Sequence, residues 1–400
     1  MSISNKIDEI AFDKSMIKSA ILAKRPSIPP TDAISQWPIS IISIHDSKSS
    51  PKQWYGSGTH VWLHYDSNSY THTFGWQIKM SVSTSASIDW GDGTTETISA
   101  SPSVLTVGRT HTYGDGDFVL HITGYDECQL TYIGQSSGGN QRRWILFDAI
   151  EQFESDTKIL QGNGNDGYTP IPMARNLRHI NLTECTSISN VGIGGMEHVM
   201  TMLTAKVDTL NNPWVASQAS FDELSFPSLT SMTGQVFNGI AGLRALSFGN
   251  GISSFPDNSV RNLGHIKSLT LPSSMTSLGS NFLHSSCLFM DSIKVPEGVT
   301  EFTGECFRTS GFRRIDLPST VTSMGSSTWS FYGLNNLEEL IIRAVNPPYL
   351  AGTNNLAVLP AYCRIYVPQG SGELYRTAQN WSAQSSKIME LDQNGNIPTD

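Results

Sequence analysis

Four hundred residues exceed what one ordinary hydrophobic core organises, so the chain is expected to divide into two to four domains. Only 15% of its residues are charged, and the net charge of −9 is spread without long runs. That distribution excludes the basic footprint of a nucleic-acid or anionic-membrane binder. The abundance of Ser, Thr, Asn and Gly matches extracellular β-rich surface proteins better than a charge-rich cytosolic enzyme.

Residues 3–23 carry an amphipathic helix pattern. Ile3, Ile7, Ile10, Ile17 and Ile21 recur at steps of 4, 3, 7 and 4, a heptad seam interrupted at Lys14. Such a stripe covers a neighbouring surface or pairs with copies of itself, and both readings stay open. Charges at Lys6, Asp8, Glu9, Asp13, Lys14, Lys18 and Lys24 break any secretory apolar region. No run reaches the ~20 apolar residues of a membrane span. The stretch from Pro26 to Pro38 reads as a linker. Residues 1–48 are therefore expected to serve attachment or oligomerisation. The order of a short helix with Ala20-Ile-Leu-Ala-Lys24, a Pro/Thr/Asp linker and Ile39-Ser-Ile-Ile-Ser-Ile44 resembles the N-terminal segments of phage tail and fibre proteins. That resemblance implies docking of the N-terminal helix to other virion proteins.

Residues 50–135 read as a separate unit. Trp54, Tyr55, Trp62, Tyr65 and Tyr70 cluster at its start, as binding anchors or as core. His60 and His64 lie on one strand face, roughly 13 Å apart at ~3.3 Å per residue, too far for one metal. Phe74, Trp76, Ile78, Met80 and Val82 alternate as a strand. A turn comes next at Trp90-Gly91-Asp92-Gly93-Thr94, where the glycines permit the backbone reversal and Asp92 can satisfy turn amides. Trp90 is expected to point into a core, with His111 and Tyr113 pinning the strand by hydrogen bonds. The W-G-D-G-T turn, His111-Thr-Tyr113 and the shifted Gly116-Asp-Phe118-Val-Leu120 together resemble the polycystic-kidney-disease (PKD) repeat. The resemblance implies an immunoglobulin-like β-sandwich over about 70–135, acting as a spacer.

Residues 136–175 form a connector, in which Trp144, Ile145, Leu146, Phe147, Ile150 and Phe153 are expected to supply the N-terminal cap of the repeat array that comes next. In that array a phrase returns at fixed spacing over residues 176–345. Its first apolar residue falls at Ile180, Leu203, Leu224, Leu246, Leu269, Ile293, Ile315 and Leu340, with steps of 23, 21, 22, 23, 24, 22 and 25. A period in this range marks a solenoid, whose units bury their apolar ribs only by stacking. Each unit predicts a short strand, and Pro272, Pro296 and Pro318 end three of them because proline cannot donate to the next ladder bond. A second extended segment and a helical turn around Phe237, Phe282, Phe307 or Phe331 complete the unit. Leu271-Pro272, Met275-Thr-Ser-Leu-Gly279, Phe282 and Cys287-Leu288 resemble the BspA-like leucine-rich repeats. Residues 346–400 resemble the cap of such arrays, with a last strand at Ile365-Tyr-Val-Pro368 and an amphipathic helix through Leu374, Tyr375 and Trp381. The expected fold is mainly β: an N-terminal helix, an Ig-like (PKD-like) sandwich, and a leucine-rich-repeat solenoid with a capping helix.

Residues able to carry chemistry are few. The five cysteines, at 128, 185, 287, 306 and 363, form no CxxC, which argues against a zinc site and against a disulfide framework. Asp89, Asp92 and Glu96 fall short of the six or more oxygens calcium takes. Asn163, Asn165 and Asp166 lack an EF-hand's closing acid. Gly134-Gln-Ser-Ser-Gly138 fits a nucleophile-elbow string without the strand-to-helix context. No catalytic residue, metal site or cofactor is assigned. The chain is expected to be a non-enzymatic virion component, a tail or head fibre or decoration. It would act as a homo-oligomer and present its repeats to a host glycan or protein. A bacterial cell-surface adhesin and a polysaccharide-degrading virion enzyme are the alternatives.

Overall fold

A computed structural model describes residues 51–67, 69, 72–79, 85–99, 106–125, 127–129, 149–156, 159–161, 176–189, 199–211, 220–240, 242–325 and 329–398. The expected N-terminal helix with its seam, Met80, Val82, the Gly134–Gly138 string, Trp144 and the 162–167 turn lie outside them. From Gln53 onward the chain is one body.

Seven strands come first: β1 Thr59–Tyr65, β2 Thr73–Lys79, β3 Ser85–Asp89, β4 Thr95–Ser99, β5 Thr106–Thr112, β6 Gly116–Thr123 and β7 Glu127–Gln129. They pair antiparallel in two sheets, β4-β3-β6-β1 and β5-β2-β7. Alternation drives this: in β3 Ala86 and Ile88 are buried while Ser85, Ser87 and Asp89 are exposed. Val61, Leu63, Leu120 and Ile122 join them in the core. Between the sheets, the Tyr113 ring packs 5.3 Å from Tyr65 and 4.7 Å from Phe118.

Strand β1 is not an edge. β8 (Ile150–Ser155) pairs antiparallel along its other side, with a register shift between Trp62 and Leu63. The later strands are β9 Ile159–Gln161, β10 His179–Asn181, β11 Ser187–Ser189, β12 Thr201–Leu203, β13 Thr209–Asn211, β14 Ser220–Phe226, β15 Ser231–Thr233, β16 Gly242–Phe248, β17 Ser268–Thr270, β18 Ser292–Lys294, β19 Arg314–Leu317, β20 Glu339–Ile342, β21 Arg364–Val367 and β22 Ile388–Glu390. β8-β10-β12, β14-β16-β17 and β18 to β22 form successive parallel ladders on one side of the coils. β9-β11-β13-β15 form a parallel ladder on a second side. This is a β-solenoid of about eight turns over residues 180–390. The first sheet and the first coils are therefore one hydrogen-bonded sheet, and β1 covers the edge that β8 would otherwise leave bare.

The strands predicted at Leu203, Leu224, Leu246, Leu269, Ile293, Ile315 and Leu340 form where the period places them. After three of them, Pro272, Pro296 and Pro318 turn the chain, each carbonyl accepting from the amide three residues on: Met275, Val299 and Val321. Phenylalanines from the coils stack inside, with Phe307 set 6.4 Å from Phe282, 5.5 Å from Phe302 and 5.3 Å from Phe331. The helical turn predicted beside them is absent at 281–287. There Asn281, Leu283, Ser285 and Cys287 alternate into the left-handed region at φ of 58°, 56°, 53° and 59°. A helical turn would spend its amides within the coil. Here Leu283 donates to Val260 and Cys287 to Leu263, one coil back, and Ser285 to Arg308, one coil onward. That gain offsets ~1–2 kcal/mol per left-handed residue.

The C-terminal cap also differs from expectation. The helix, α1 (Gly372–Thr377), has six residues, and a 3₁₀ turn at Ser382–Lys387 comes after it. The I-Y-V-P strand, β21, is not the last, because β22 returns to pair parallel with it. Tyr375 and Trp381 seal the end: the Tyr375 hydroxyl donates to Ala344 O at 2.7 Å and Trp381 Nε1 to Pro348 O at 2.9 Å. No described helix is long and apolar enough to cross a membrane.

Candidate functional site

The 90–94 turn is assembled around Asp92. Its Oδ1 accepts from Thr94 N at 3.0 Å and Thr94 Oγ1 at 2.6 Å, and its Oδ2 lies 2.7 Å from His111 Nε2. These bonds, Thr94's hydroxyl first, hold the Asp92 carboxyl down to about 2. His111 stacks on the buried Trp90 at 4.6 Å, and the Tyr113 hydroxyl donates to Trp90 O at 3.1 Å. Gly91 has φ of +80°, and a Cβ there would sit 2.5 Å from Val119 O. The polar groups of the turn are thus directed at holding the turn. Asp89 accepts from Gly91 N and Glu96 from Arg109 Nε, so the three acids diverge rather than converge. Among the described residues no group of His, Cys, Asp or Glu has metal-holding geometry.

A buried polar constellation lies where no motif pointed. Strand register sets Asp89, His121, His60, Glu154 and Asn181 side by side in one row across β3, β6, β1, β8 and β10. Directly opposed residues share a sheet face, and the contacts agree. The His60 and His121 rings stack at 4.1 Å, and His60 Nδ1 lies 3.6 Å from Glu154 Oε2. Asn181 Nδ2 donates to Glu154 Oε1 at 3.0 Å. Tyr55 stacks on His60 at 4.4 Å, and Trp54 meets Trp62 edge-on at 5.8 Å. The aromatic cluster is thus divided: Trp62 and Tyr65 are buried, whereas Tyr55 lies over the row at 53% exposure. His64 faces the same way and pairs with Asp117 at 2.8 Å. Burial, and then the charge of His121, hold His60 down to about 4, so its ring is neutral near pH 7.

The outward residues of the later strands form a charge ladder. Arg313 lies between Asp291 and Glu338, Arg314 faces Glu339 at 3.2 Å, and Arg244 bonds Asp222 at 3.0 Å. Arg343 holds Asp316 through two bonds of 2.7 and 2.8 Å. Polar ladders repeat on the turns: Asn262 to Asn238, Asn281 to Asn258, Ser273 to Asn250, Ser319 to Glu297. Their sequence separations, 22 to 24, are the repeat period written in hydrogen bonds. Leu288 and Phe289 stand out at 59% and 58% exposure, with Phe289 stacked on His265. Cys185, Cys287, Cys306 and Cys363 are buried and form no disulfide. Burial pushes the Cys306 thiol up to about 12 and the Cys363 thiol to about 11. They pack as small apolar groups.

With this geometry in place, residues 213–342 match the family described as the BspA type leucine rich repeat region, in six copies. This stretch is a BspA-type leucine-rich repeat region. It spans about a third of the chain. Solved structures similar to the chain include a leucine-rich repeat protein from Bacteroides ovatus, at 15% identity and a TM-score of 0.40, covering 55% of this chain and 54% of that one. The pneumococcal vaccine antigen PcpA is 13% identical with a TM-score of 0.37, covering 60% of this chain and 69% of its own. A leucine rich cell surface protein from Faecalibacterium prausnitzii is 13% identical with a TM-score of 0.24, covering 63% and 93%. No curated protein matches the chain.

Proposed function

We propose that the protein is a non-catalytic recognition or adhesion component that presents its solenoid to a surface ligand. The observation that carries this is the six-copy leucine-rich repeat region, which gives an extended ribbed surface in place of a single cleft. Its charge ladder reverses sign from coil to coil and pairs within itself, so the ladder holds the stack together, and recognition falls to exposed side chains such as Leu288, Phe289 and Tyr362.

In this reading the chain belongs to a phage virion, as a tail or head fibre or decoration. Residues 1–48, with the Ile3, Ile7, Ile10, Ile17 and Ile21 seam, dock it to other virion proteins as a homo-oligomer. The PKD-like reading of the Trp90–Thr94 turn belongs to the same proposal; burial of Trp90 and the bond from Tyr113 support it. Mass spectrometry of purified particles tests the location, and particles lacking the chain refute it. Recovery in the bacterial surface fraction instead would favour the adhesin. Binding of the full chain to host cells, weakened by Leu288→Ser with Phe289→Ser, is the expected recognition result. Depolymerisation of a glycan that one carboxylate substitution abolishes would overturn the non-catalytic reading.

A further inference from the structure

The row of polar residues under Tyr55 has a property that packing alone does not require. Glu154 is 2% exposed, and its carboxylate is fully engaged: Oε2 accepts from Tyr55 N at 2.8 Å, and Oε1 from Gly56 N at 3.0 Å and Asn181 Nδ2 at 3.0 Å. One step on, Asp156 accepts from Gly58 N at 2.7 Å and from the Tyr125 hydroxyl at 3.1 Å. These two carboxylates, with the backbone bond from Asp156 N to Gly58 O at 3.2 Å and the stacking of Tyr55 on His60, hold the chain from residue 55 to 58 against the sheet.

His60 lies beneath that segment at 3% exposure, and its Nδ1 makes no hydrogen bond. His121 Nε2, on the stacked ring beside it, is likewise buried without a hydrogen bond. The carboxylate oxygen facing His60 Nδ1 is Glu154 Oε2, at 3.6 Å, the same atom that holds the Tyr55 amide. A proton on His60 would therefore compete with the segment for one acceptor. It would also bring positive charge within 4.1 Å of the His121 ring.

We propose that this joint is acid-responsive, with protonation of His60, in its stack on His121, releasing the Tyr55–Gly58 segment from the sheet face. The titratable groups around His60 are few. β6 contributes His121, with Asp89 of β3 beyond it in the row. β8 contributes Glu154, and Asp156 lies just past its end. The incoming segment contributes Tyr55, and Tyr125 closes the far side. Asp156 opposes the effect of His121, but burial outweighs both.

Linkage sets the sign. His60 in the closed joint sits near 4, below its ordinary 6.5. The closed state is fully favoured above the ordinary value and loses ground as pH falls from there towards 4. If the released segment frees His60 to its ordinary value, the closed state weakens by about 30-fold between pH 7.5 and about pH 5.

Hydrogen exchange of the full chain, read by mass spectrometry over residues 53–58 and corrected for the intrinsic rate, measures this directly. Wild-type protection is expected to fall by about 30-fold over that interval. In His60→Phe, which keeps the stacked ring without its proton, protection is expected to stay constant, while coils 290–317 exchange alike in both proteins. Unchanged protection in the wild type would overturn the proposal, as would an equal fall in His60→Phe. Should His60→Phe fold poorly at neutral pH, His60→Gln carries the same comparison.

Discussion

Phe307 gives the clearest test of how the solenoid is held together. Its ring is fully buried and meets Phe282, Phe302, Phe312 and Phe331, at centroid distances of 5.3 to 6.4 Å. Phe307→Ala removes a core aromatic, at a cost of about 3–5 kcal/mol. Its neighbours cannot close the void readily, because they sit in its own coil and the coil on either side, whose spacing is fixed by the backbone bonds of Ser285 to Arg308, Phe307 to Ser330 and Thr309 to Tyr332. Since each coil bonds mainly its neighbours, the loss is expected to stay local. Urea unfolding should show a lower midpoint, and hydrogen exchange should show coils 282–331 opening before the sheet that joins β1 to β8. Phe289→Ala, at a position 58% exposed, should cost under about 0.5 kcal/mol. Equal losses in the two variants, or uniform loss of protection along the chain, would refute the reasoning.

Gly91→Ala should destabilise by at least about 2 kcal/mol, because the site needs φ of +80° and a Cβ would strike the Val119 backbone; thermal unfolding checks it. The Asp92 carboxyl is held at about 2, below its ordinary 3.8, so its contribution is complete above 3.8 and disappears as pH falls through 2. The stability gap between wild type and Asp92→Asn, followed by denaturant titration, should close over that range. Cys185, Cys287, Cys306 and Cys363 should resist a thiol reagent at neutral pH until the protein is unfolded, because all four are buried out of its reach and burial also disfavours the thiolates of Cys287, Cys306 and Cys363. Deleting residues 1–148 removes β1 and bares the edge of β8, so the remainder should aggregate on light scattering where the full chain does not.

The solenoid was legible because its signal is periodic: a slip of one residue at Leu269 or Ile315 would turn an apolar rib outward, so each coil repeats the same constraint. The 90–94 turn was legible for another reason, since its glycines, Asp92, His111 and Tyr113 act within one neighbourhood of sequence. The left-handed run at Asn281 to Cys287 was not legible. Local propensity favours a helical turn there, and amide bonds to the coils on either side override it. The His121–His60–Glu154–Asn181 row was hidden more deeply. Its members belong to four strands, and β8 joins the antiparallel sheet to the parallel ladder, a pairing that no pattern within either half announces.

The charge ladder on the outer strands sets a rule for how such a chain can lengthen. From Asp291 through Arg313 to Glu338, and from Arg314 through Glu339 to Arg364, the sign reverses at every coil. Duplicating one coil would set arginine against arginine across a strand spacing of about 4.8 Å. Duplicating two would preserve every pairing. The hydrophobic spine counts in single coils, but the surface counts in pairs, so growth or loss of this part of the array is expected to proceed two coils at a time.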